Sequence, residues 1–351
     1  MNKNETVELI GKYRKELMGV AALCIMVFHV WQLVFENVFI LNKMERFVRK
    51  IGFCGVDIFF FLSGFGLYYA LKKEKLITYY WNRLRRILIP PAIYIAIRCF
   101  LDGWTVKYGV LSLFGFYFYT EDIYTFLWFI PAIITMYVWF PLYNAIFEKV
   151  RNKFYFIAEF MIIWLIFSVF VKDIMREDLF GFTNRIPIFV IGAFLGWSNE
   201  HVRNTISSSY KVLMGFVFVL GVFLAWETNY KDLFLVVQVS NCCIPNILMT
   251  LSGVTLLVCF LESAPHIFWL KSILRFLGSI TLELYCLQEW MRGIWLNILM
   301  NAIPYPIIVN VILFSAIMIS AYVMHLVVVF INNSLERFVV YSKKKLVKCV
   351  E

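Results

Sequence analysis

The stretch Gly55-Val56-Asp57-Ile58-Phe59-Phe60-Phe61-Leu62-Ser63-Gly64-Phe65 is apolar apart from one carboxylate, Asp57, and one hydroxyl, Ser63. It lies within residues 51–71, which match the length of about 20 apolar residues that a helix needs to cross the hydrocarbon core. Nine similar segments occur along the chain, and the third and sixth of the resulting ten are short. Together they predict ten transmembrane helices, at residues 17–35, 51–71, 87–101, 124–146, 154–171, 185–198, 211–226, 243–261, 273–297 and 306–331.

The composition points to the same fold class. The 351-residue chain is 62% hydrophobic and 16% charged, whereas soluble domains average about 45–50% apolar and about 25% charged residues. So few charges could not cover so much apolar surface in water. The values exclude a disordered chain, a nucleic-acid-binding domain and a typical cytosolic enzyme. We therefore predict an all-α, polytopic helical bundle in a lipid bilayer, forming one domain over residues 1–351.

The distribution of basic residues predicts the topology. The net charge is +10, and Lys and Arg collect on the cytoplasmic side of membrane proteins. With the N-terminus inside, cytoplasmic segments hold 22 basic residues and outer segments hold ten. This favours an N-in and C-in arrangement with a basic cytoplasmic tail at 332–351. The basic segment 36–50, which lies outside in this topology, is its weak point. The apolar piece 233–245 is expected to be re-entrant or interfacial.

Two ionisable residues lie within predicted spans, where such groups are costly and often functional. His29 and Asp57 are each six residues from the outer end of their span, which is roughly 9 Å of helix. An imidazole beside a carboxylate would be held in one tautomer. We therefore predict that His29 and Asp57 form a catalytic pair. The alternative is that each bonds a carbonyl of a neighbouring helix.

Further polar residues, among them Gln288 and Glu289, reach a similar depth and could form a cavity that faces outward. Trp128 could instead be an interface anchor, and Arg185 could snorkel to the membrane surface. Glu283 and His325 are expected to be helix-packing residues, because His325 has no acid nearby in sequence. The predicted substrate-binding residues are Arg98, Trp128, Arg185 and Gln288.

A basic cluster lies in the predicted cytoplasmic link 72–86. Dense cations at a helix end bind phosphate well, and arginine does so with two parallel hydrogen bonds. Ordinary positive-inside signalling and lipid headgroup binding are the alternative. The four histidines show no metal-ligand spacing, so no metal is expected. The cluster consists of Lys72, Lys73, Lys75, Arg83, Arg85 and Arg86.

Six sequence motifs occur in order over most of the chain. They are the apolar run ending in His29, Gly55–Phe65, Arg83–Pro90, Trp128–Ala132 with Tyr137 and Pro141, Arg185–Gly192, and Leu277–Tyr285. In this order they resemble the motifs of membrane-bound acyltransferase family 3. The sequence departs from that pattern at Met18, where the family has an arginine that Arg14 or Lys15 could replace, and at Gln288, where the family has a second histidine.

The resemblance implies an enzyme of the bacterial cytoplasmic membrane that moves an acyl group from acyl-CoA, foremost acetyl-CoA, to a hydroxyl of an envelope or exported carbohydrate. Arg83, Arg85 and Arg86 would then hold the CoA phosphates, and the pantetheine arm would pass Ser63 toward His29. His29 would act as general base or carry the acyl group. Asp57 would orient His29. Arg98, Trp128, Arg185 and Gln288 would contact the acceptor or the developing oxyanion.

Two other classes remain open from sequence alone. A permease would also have ten spans and intramembrane charges, although the chain shows no internal repeat. A membrane domain that has lost catalysis and binds an envelope ligand is the second, given Met18 and Gln288. The expected partners are the bilayer and a carbohydrate acceptor, without nucleic acid. Self-association into a homo-oligomer is left open.

Overall fold

The computed structural model describes residues 4–120, 126–171, 174–203, 205–230 and 244–348. The structure is 87% helical, and the described residues contain no strand. A short 3-10 helix at Phe126–Trp128 precedes α8. The α-helices are α1 Glu5–Lys12, α2 Arg14–Val30, α3 Phe39–Ile51, α4 Cys54–Lys73, α5 Leu76–Leu101, α6 Val106–Leu113, α7 Phe116–Thr120, α8 Phe129–Lys149, α9 Lys153–Val171, α10 Glu177–Thr183, α11 Ile186–His201, α12 Ser208–Tyr230, α13 Ile244–Ser263, α14 Phe268–Ser279, α15 Thr281–Ala302 and α16 Pro306–Lys348.

The all-α membrane fold is confirmed. Each of the ten predicted spans overlaps a described helix or pair of helices, although α2 ends at Val30 and residues 31–35 of the first predicted span are not helical. Seven helical segments of the described chain are long and apolar enough to cross a membrane. The total of ten spans, the N-in and C-in topology and the single domain stay predictions. The seven are Phe39–Lys73, Phe129–Lys149, Lys153–Val171, Leu179–His201, Ser208–Thr228, Ile244–Ser263 and Pro306–Arg337.

Two predicted boundaries are wrong. The third span does not begin at residue 87, because α5 starts at Leu76 and carries Arg83, Arg85 and Arg86 within a helix. Long basic side chains are good helix formers, so the basic link continues as helix. The ninth span is divided at Ile280 into α14 and α15.

Segments between and after the predicted spans also contain helices that the sequence analysis did not predict. The basic segment 36–50 is largely helix α3, which buries Phe47. The outer segment 102–123 contains α6 and α7. The basic tail is a continuation of α16 as far as Lys348. Most of the predicted re-entrant piece 233–245 lies outside the described residues.

Glycines let two pairs of helices touch through their backbones. A Cβ atom added to Gly64 of α4 would lie 2.0 Å from the carbonyl oxygen of Phe189 in α11, and one added to Gly192 would lie 2.1 Å from that of Phe61. The pair α2 and α14 repeats this arrangement, with Gly19 against Leu274 and Gly278 against Lys15. Small residues at such crossings permit the close packing on which helix association in membranes depends.

Replacing Gly192 by valine should destabilise the protein strongly, because the new side chain must displace the backbone of α4. Overpacking of this kind typically costs about 1–3 kcal/mol or more. Gly215→Ala is the matched control, since nothing lies within 4 Å of a Cβ atom there. Thermal unfolding in detergent, followed by size-exclusion chromatography, should show a lower midpoint for Gly192→Val. Equal midpoints for both variants would contradict the close crossing.

Candidate functional site

His29 lies in the last turn of α2 and is half-buried. Its ring meets the ring of Phe28 edge to face at 4.8 Å between centroids. Phe28 in turn packs on Phe53, just before α4, at 5.1 Å. The positive charges of Arg292 and Arg49 both act on the imidazole. His29 therefore sits at one end of the bundle, between aromatic packing and two guanidinium groups.

Asp57 lies one turn into α4 and is buried, with 1% of its surface exposed. Its Oδ2 accepts a hydrogen bond from Asn246 Nδ2 at 3.0 Å and lies 3.6 Å from Arg185 Nη2. Its other oxygen, Oδ1, has no hydrogen-bond partner among the described residues. The carboxylate therefore links α4 to the starts of α11 and α13.

Arg185 immediately precedes α11 and is completely buried. Its guanidinium lies 4.2 Å from the ring centroid of Phe53 and 5.8 Å from that of Trp128, and Nη1 donates to the carbonyl of Gly181. Such burial excludes a snorkelling side chain. Trp128 is also buried, which excludes an interface anchor facing lipid.

The contacts shown for Asp57 are thus with Arg185 and Asn246. The pairing of Asp57 with His29 stays a prediction. The two are joined through a sequence of packed groups, since His29 contacts Phe28, Phe28 contacts Phe53, and Phe53 lies under the Arg185 guanidinium that faces Asp57. A movement of Arg185 would therefore reach His29 through two aromatic rings.

The residues predicted to bind substrate lie in three places. Trp128 and Arg185 pack together beside Asp57. Arg98 lines a cavity of about 340 Å³ between α5 and α15. Gln288, on α15, is buried outside the residues that line this cavity, and its Nε2 has no partner among the described residues.

A second polar cluster contains two of the three arginines predicted to bind phosphate. Arg14 is its centre: its Nη2 donates to the Leu62 carbonyl at 3.3 Å, and Arg83 and Arg86 are charged neighbours. The hydroxyl of Tyr137 lies near the same three arginines and Ser63. Arg14, Arg83, Arg86, Ser63 and Tyr137 are called the arginine cluster below.

Arg85 has a carboxylate partner on another helix. Its Nη2 forms an ion pair with Glu336 of α16 at 2.8 Å, so it connects α5 to the last helix. Arg83 has a weaker contact with Glu74 at 3.9 Å. The Nε and Nη1 atoms of Arg85 are buried without a hydrogen-bond partner among the described residues. Phosphate binding by Arg83, Arg85 and Arg86 stays a prediction, to which the structure adds Arg14.

Two polar contacts were missed from the sequence. Asn246 lies in the first turn of α13, and only its position in an apolar segment could have identified it from the sequence as a buried polar residue. Glu283 and His325, expected to pack helices separately, form a hydrogen bond of 2.8 Å between Oε1 and Nδ1. They are 42 residues apart, so sequence proximity could not reveal the pair.

Comparison with known proteins gives one match. A family model described as an acyltransferase domain matches residues 17–326, which is most of the chain and includes Asp57, Arg185 and every residue of the arginine cluster except Arg14. No curated protein and no solved structure matches the chain. The apolar helices described above agree with a family of membrane enzymes. The chain belongs to the acyltransferase 3 family and is a membrane-bound acyltransferase.

Proposed function

We propose that the enzyme transfers an acetyl group from acetyl-CoA to a hydroxyl of a cell-envelope or exported carbohydrate, in a bacterial cytoplasmic membrane. The observation that supports it most is the arginine cluster. Arg14 Nε and Arg83 Nε are buried and have no hydrogen-bond partner among the described residues. Buried guanidinium donors without partners are costly, and phosphate oxygens are their best acceptors. The phosphate groups of CoA fit this site.

A partly accessible stripe on α4 supports a route from the arginine cluster toward His29. Phe59, Ser63 and Gly66 are half-buried, whereas most neighbouring positions on α4 are buried. Their spacing of four and three residues places them on one helix face. From Ser63 to Phe53 the helix rises about 15 Å. We propose that the pantetheine arm lies along this face, with its thioester toward the end of α2 that carries His29.

In this mechanism His29 accepts the proton of the acceptor hydroxyl. The hydroxyl oxygen attacks the thioester carbonyl, the C–S bond breaks, and His29 returns the proton to the departing thiolate. General-base catalysis of this kind typically contributes about 10²–10⁴-fold. Arg49 and Arg292, whose charges reach His29, are suited to stabilise the oxyanion that forms on the carbonyl. Asp57 and Arg185 hold the end of α4 that forms the wall beside His29.

Replacing Arg14 by glutamine should mainly raise the KM for acetyl-CoA. A hydrogen bond to a charged group is worth about 1.5–3 kcal/mol, which corresponds to an increase of roughly 10–100-fold. Arg86→Gln should act in the same direction. Arg151→Gln is the matched control, because Arg151 is an exposed arginine just after α8 and lies outside both the basic cluster and the arginine cluster. Initial rates at varied acetyl-CoA concentration measure the effect. An unchanged KM in both arginine variants would leave the arginines with a purely topological role.

Mass spectrometry of envelope glycans tests the proposed function itself. Glycans from cells with the gene should carry one acetyl group more per modified residue than glycans from cells without it. The same comparison in cells that produce the His29→Ala protein should match the deletion. Identical glycan masses with and without the gene would contradict the proposed acceptor class.

A further inference from the structure

The cavity between α5 and α15 has a composition unlike that of the lipid-facing surface. Its volume of about 340 Å³ is at the lower end of the range of roughly 300–1,000 Å³ that is usual for small-molecule sites. Two acids, one arginine and two aromatic rings contribute to its wall. The lining residues are Tyr94, Arg98, Asp102, Glu289, Trp290, Gly293 and Ile294.

Arg98 is fixed in place by its neighbours. It forms an ion pair with Asp102, and its Nη1 donates to the Tyr94 hydroxyl at 2.7 Å. The guanidinium also lies 4.4 Å from the ring centroid of Trp104. Asp102 in turn accepts a hydrogen bond of 3.0 Å from Trp290 Nε1. The positive charge of Arg98 is therefore balanced within the wall of the cavity.

Among the residues that line the cavity, the remaining charged group is the Glu289 carboxylate. Gly293, one turn further along α15, leaves open space because nothing lies within 4 Å of a Cβ atom there. A phosphate or a lipid headgroup phosphate would be repelled by Glu289. A hydrocarbon chain would desolvate the Glu289 carboxylate without offering it a hydrogen-bond donor. A neutral ligand with several hydroxyl groups avoids the charge repulsion and also donates hydrogen bonds to the carboxylate.

One residue connects this cavity to His29. The charge of Arg292 acts on Glu289 and also on the His29 imidazole. Glu289 and Arg292 are three residues apart on α15 and so share a helix face. A ligand held against Glu289 would thus lie on the side of α15 from which Arg292 reaches the proposed reaction centre.

We propose that this cavity is the subsite for one pyranose ring of the acceptor. Glu289 and Asp102 accept hydrogen bonds from ring hydroxyls, because ionised carboxylates are acceptors only. The indole of Trp290 packs against the apolar C–H face of the ring, as aromatic side chains do with flat apolar surfaces. The assignment rests on the proposed transfer to a carbohydrate, and it adds the residues that bind the acceptor.

Saturation-transfer NMR on the purified full-length protein tests binding without requiring catalysis. The probes are the methyl glycosides of glucose, galactose and N-acetylglucosamine. We expect ring-proton signals from at least one probe with the wild-type protein and with Trp295→Leu, the control, whose side chain is exposed on the same helix. Glu289→Gln, which keeps the shape of the side chain, and Trp290→Leu should lose these signals. Signals that are absent throughout, or unchanged in both variants, overturn the subsite.

A kinetic measurement separates failure of the subsite from failure of the proposed function. With an isolated envelope glycan as acceptor, Glu289→Gln should raise the acceptor KM about 10-fold, as expected for a lost hydrogen bond to a charged group, and leave the KM for acetyl-CoA unchanged. Transfer that proceeds with an unaltered acceptor KM overturns the subsite and retains the function. Sugar binding that depends on Glu289 without any acetyl transfer retains the subsite and overturns the function.

Discussion

His29→Ala should abolish acetyl transfer while the protein still inserts, folds and binds acetyl-CoA. Loss of a general base lowers the rate by about 10²–10⁴-fold, and loss of a covalent carrier lowers it at least as much. The fold should persist because His29 is half-buried near the end of α2, more than two turns from the crossing of α2 with α14 at Gly19. Transfer of labelled acetyl groups to an envelope glycan measures the effect, with size-exclusion chromatography as the check on folding.

His266→Ala is the control for that experiment, because His266 is exposed in the segment between α13 and α14. It should transfer at the wild-type rate. A His29→Ala protein that is normally expressed and fully active would remove the catalytic role of His29. His29→Gln should be inactive as well, since an amide neither accepts the proton effectively nor carries an acyl group.

The His29→Ala variant also distinguishes general-base catalysis from transfer through an acyl group on His29. Wild-type protein incubated with labelled acetyl-CoA, without acceptor, and then quenched should carry label on His29 only if an acyl-imidazole forms. Label on the wild-type protein that is missing from His29→Ala would establish the covalent route. Rapid transfer with no labelled enzyme at any time would establish direct attack by the acceptor hydroxyl.

Arg185→Leu should be among the most destabilising single changes in the protein. It leaves the buried Asp57 carboxylate facing Asn246 alone, and removing one partner of a buried ion pair typically costs about 3–5 kcal/mol. It also removes the guanidinium that packs on Phe53 and Trp128, so the wall beside His29 should loosen. Chemical denaturation in detergent, followed by circular dichroism, measures the loss.

A double-mutant cycle tests whether the loss arises from the pair. Asp57→Asn in the Arg185→Leu background removes the unpaired charge and should restore part of the free energy of unfolding. The interaction energy in the cycle should then exceed 0.5 kcal/mol, as is usual for residues in contact. Effects of the two substitutions that simply add would contradict a direct Asp57–Arg185 interaction.

The helical fold could be predicted from the sequence because hydrophobicity along the chain is a local property. Each predicted span overlaps a helix. The ends of the helices were predicted less well, since α2 ends at Val30, Arg83 and Arg86 are charged yet helical, and the break between α14 and α15 at Ile280 was not predicted. Gly278, two residues before this break, contacts the backbone of Lys15 in α2. The sequence of α14 alone does not reveal that contact with a second helix.

Only part of the functional site could be predicted from the sequence, because a contact between two helices is not a local property of the chain. Intramembrane charge identified Asp57 and Arg185 separately, but only the packing of α4 against α11 shows that they face each other. Arg14 was noted as a replacement at the position of Met18, and its contact with Leu62 places it with Arg83 and Arg86. Glu289 was expected from the sequence among the polar residues of an outward-facing cavity, whereas Trp290 carried no signal, and the lining of the cavity is defined only by the packing of α5 against α15.

The most direct test of the central claim follows a radiolabelled acetyl group through the purified enzyme in liposomes. With labelled acetyl-CoA and an envelope glycan, the wild-type protein should place the label in an alkali-labile ester on the glycan. Arg14→Gln should require more acetyl-CoA for the same rate, and His29→Ala should leave the label on CoA. Label that stays on CoA with the wild-type protein, or that reaches the glycan equally with His29→Ala, would contradict a reaction joining the arginine cluster to His29.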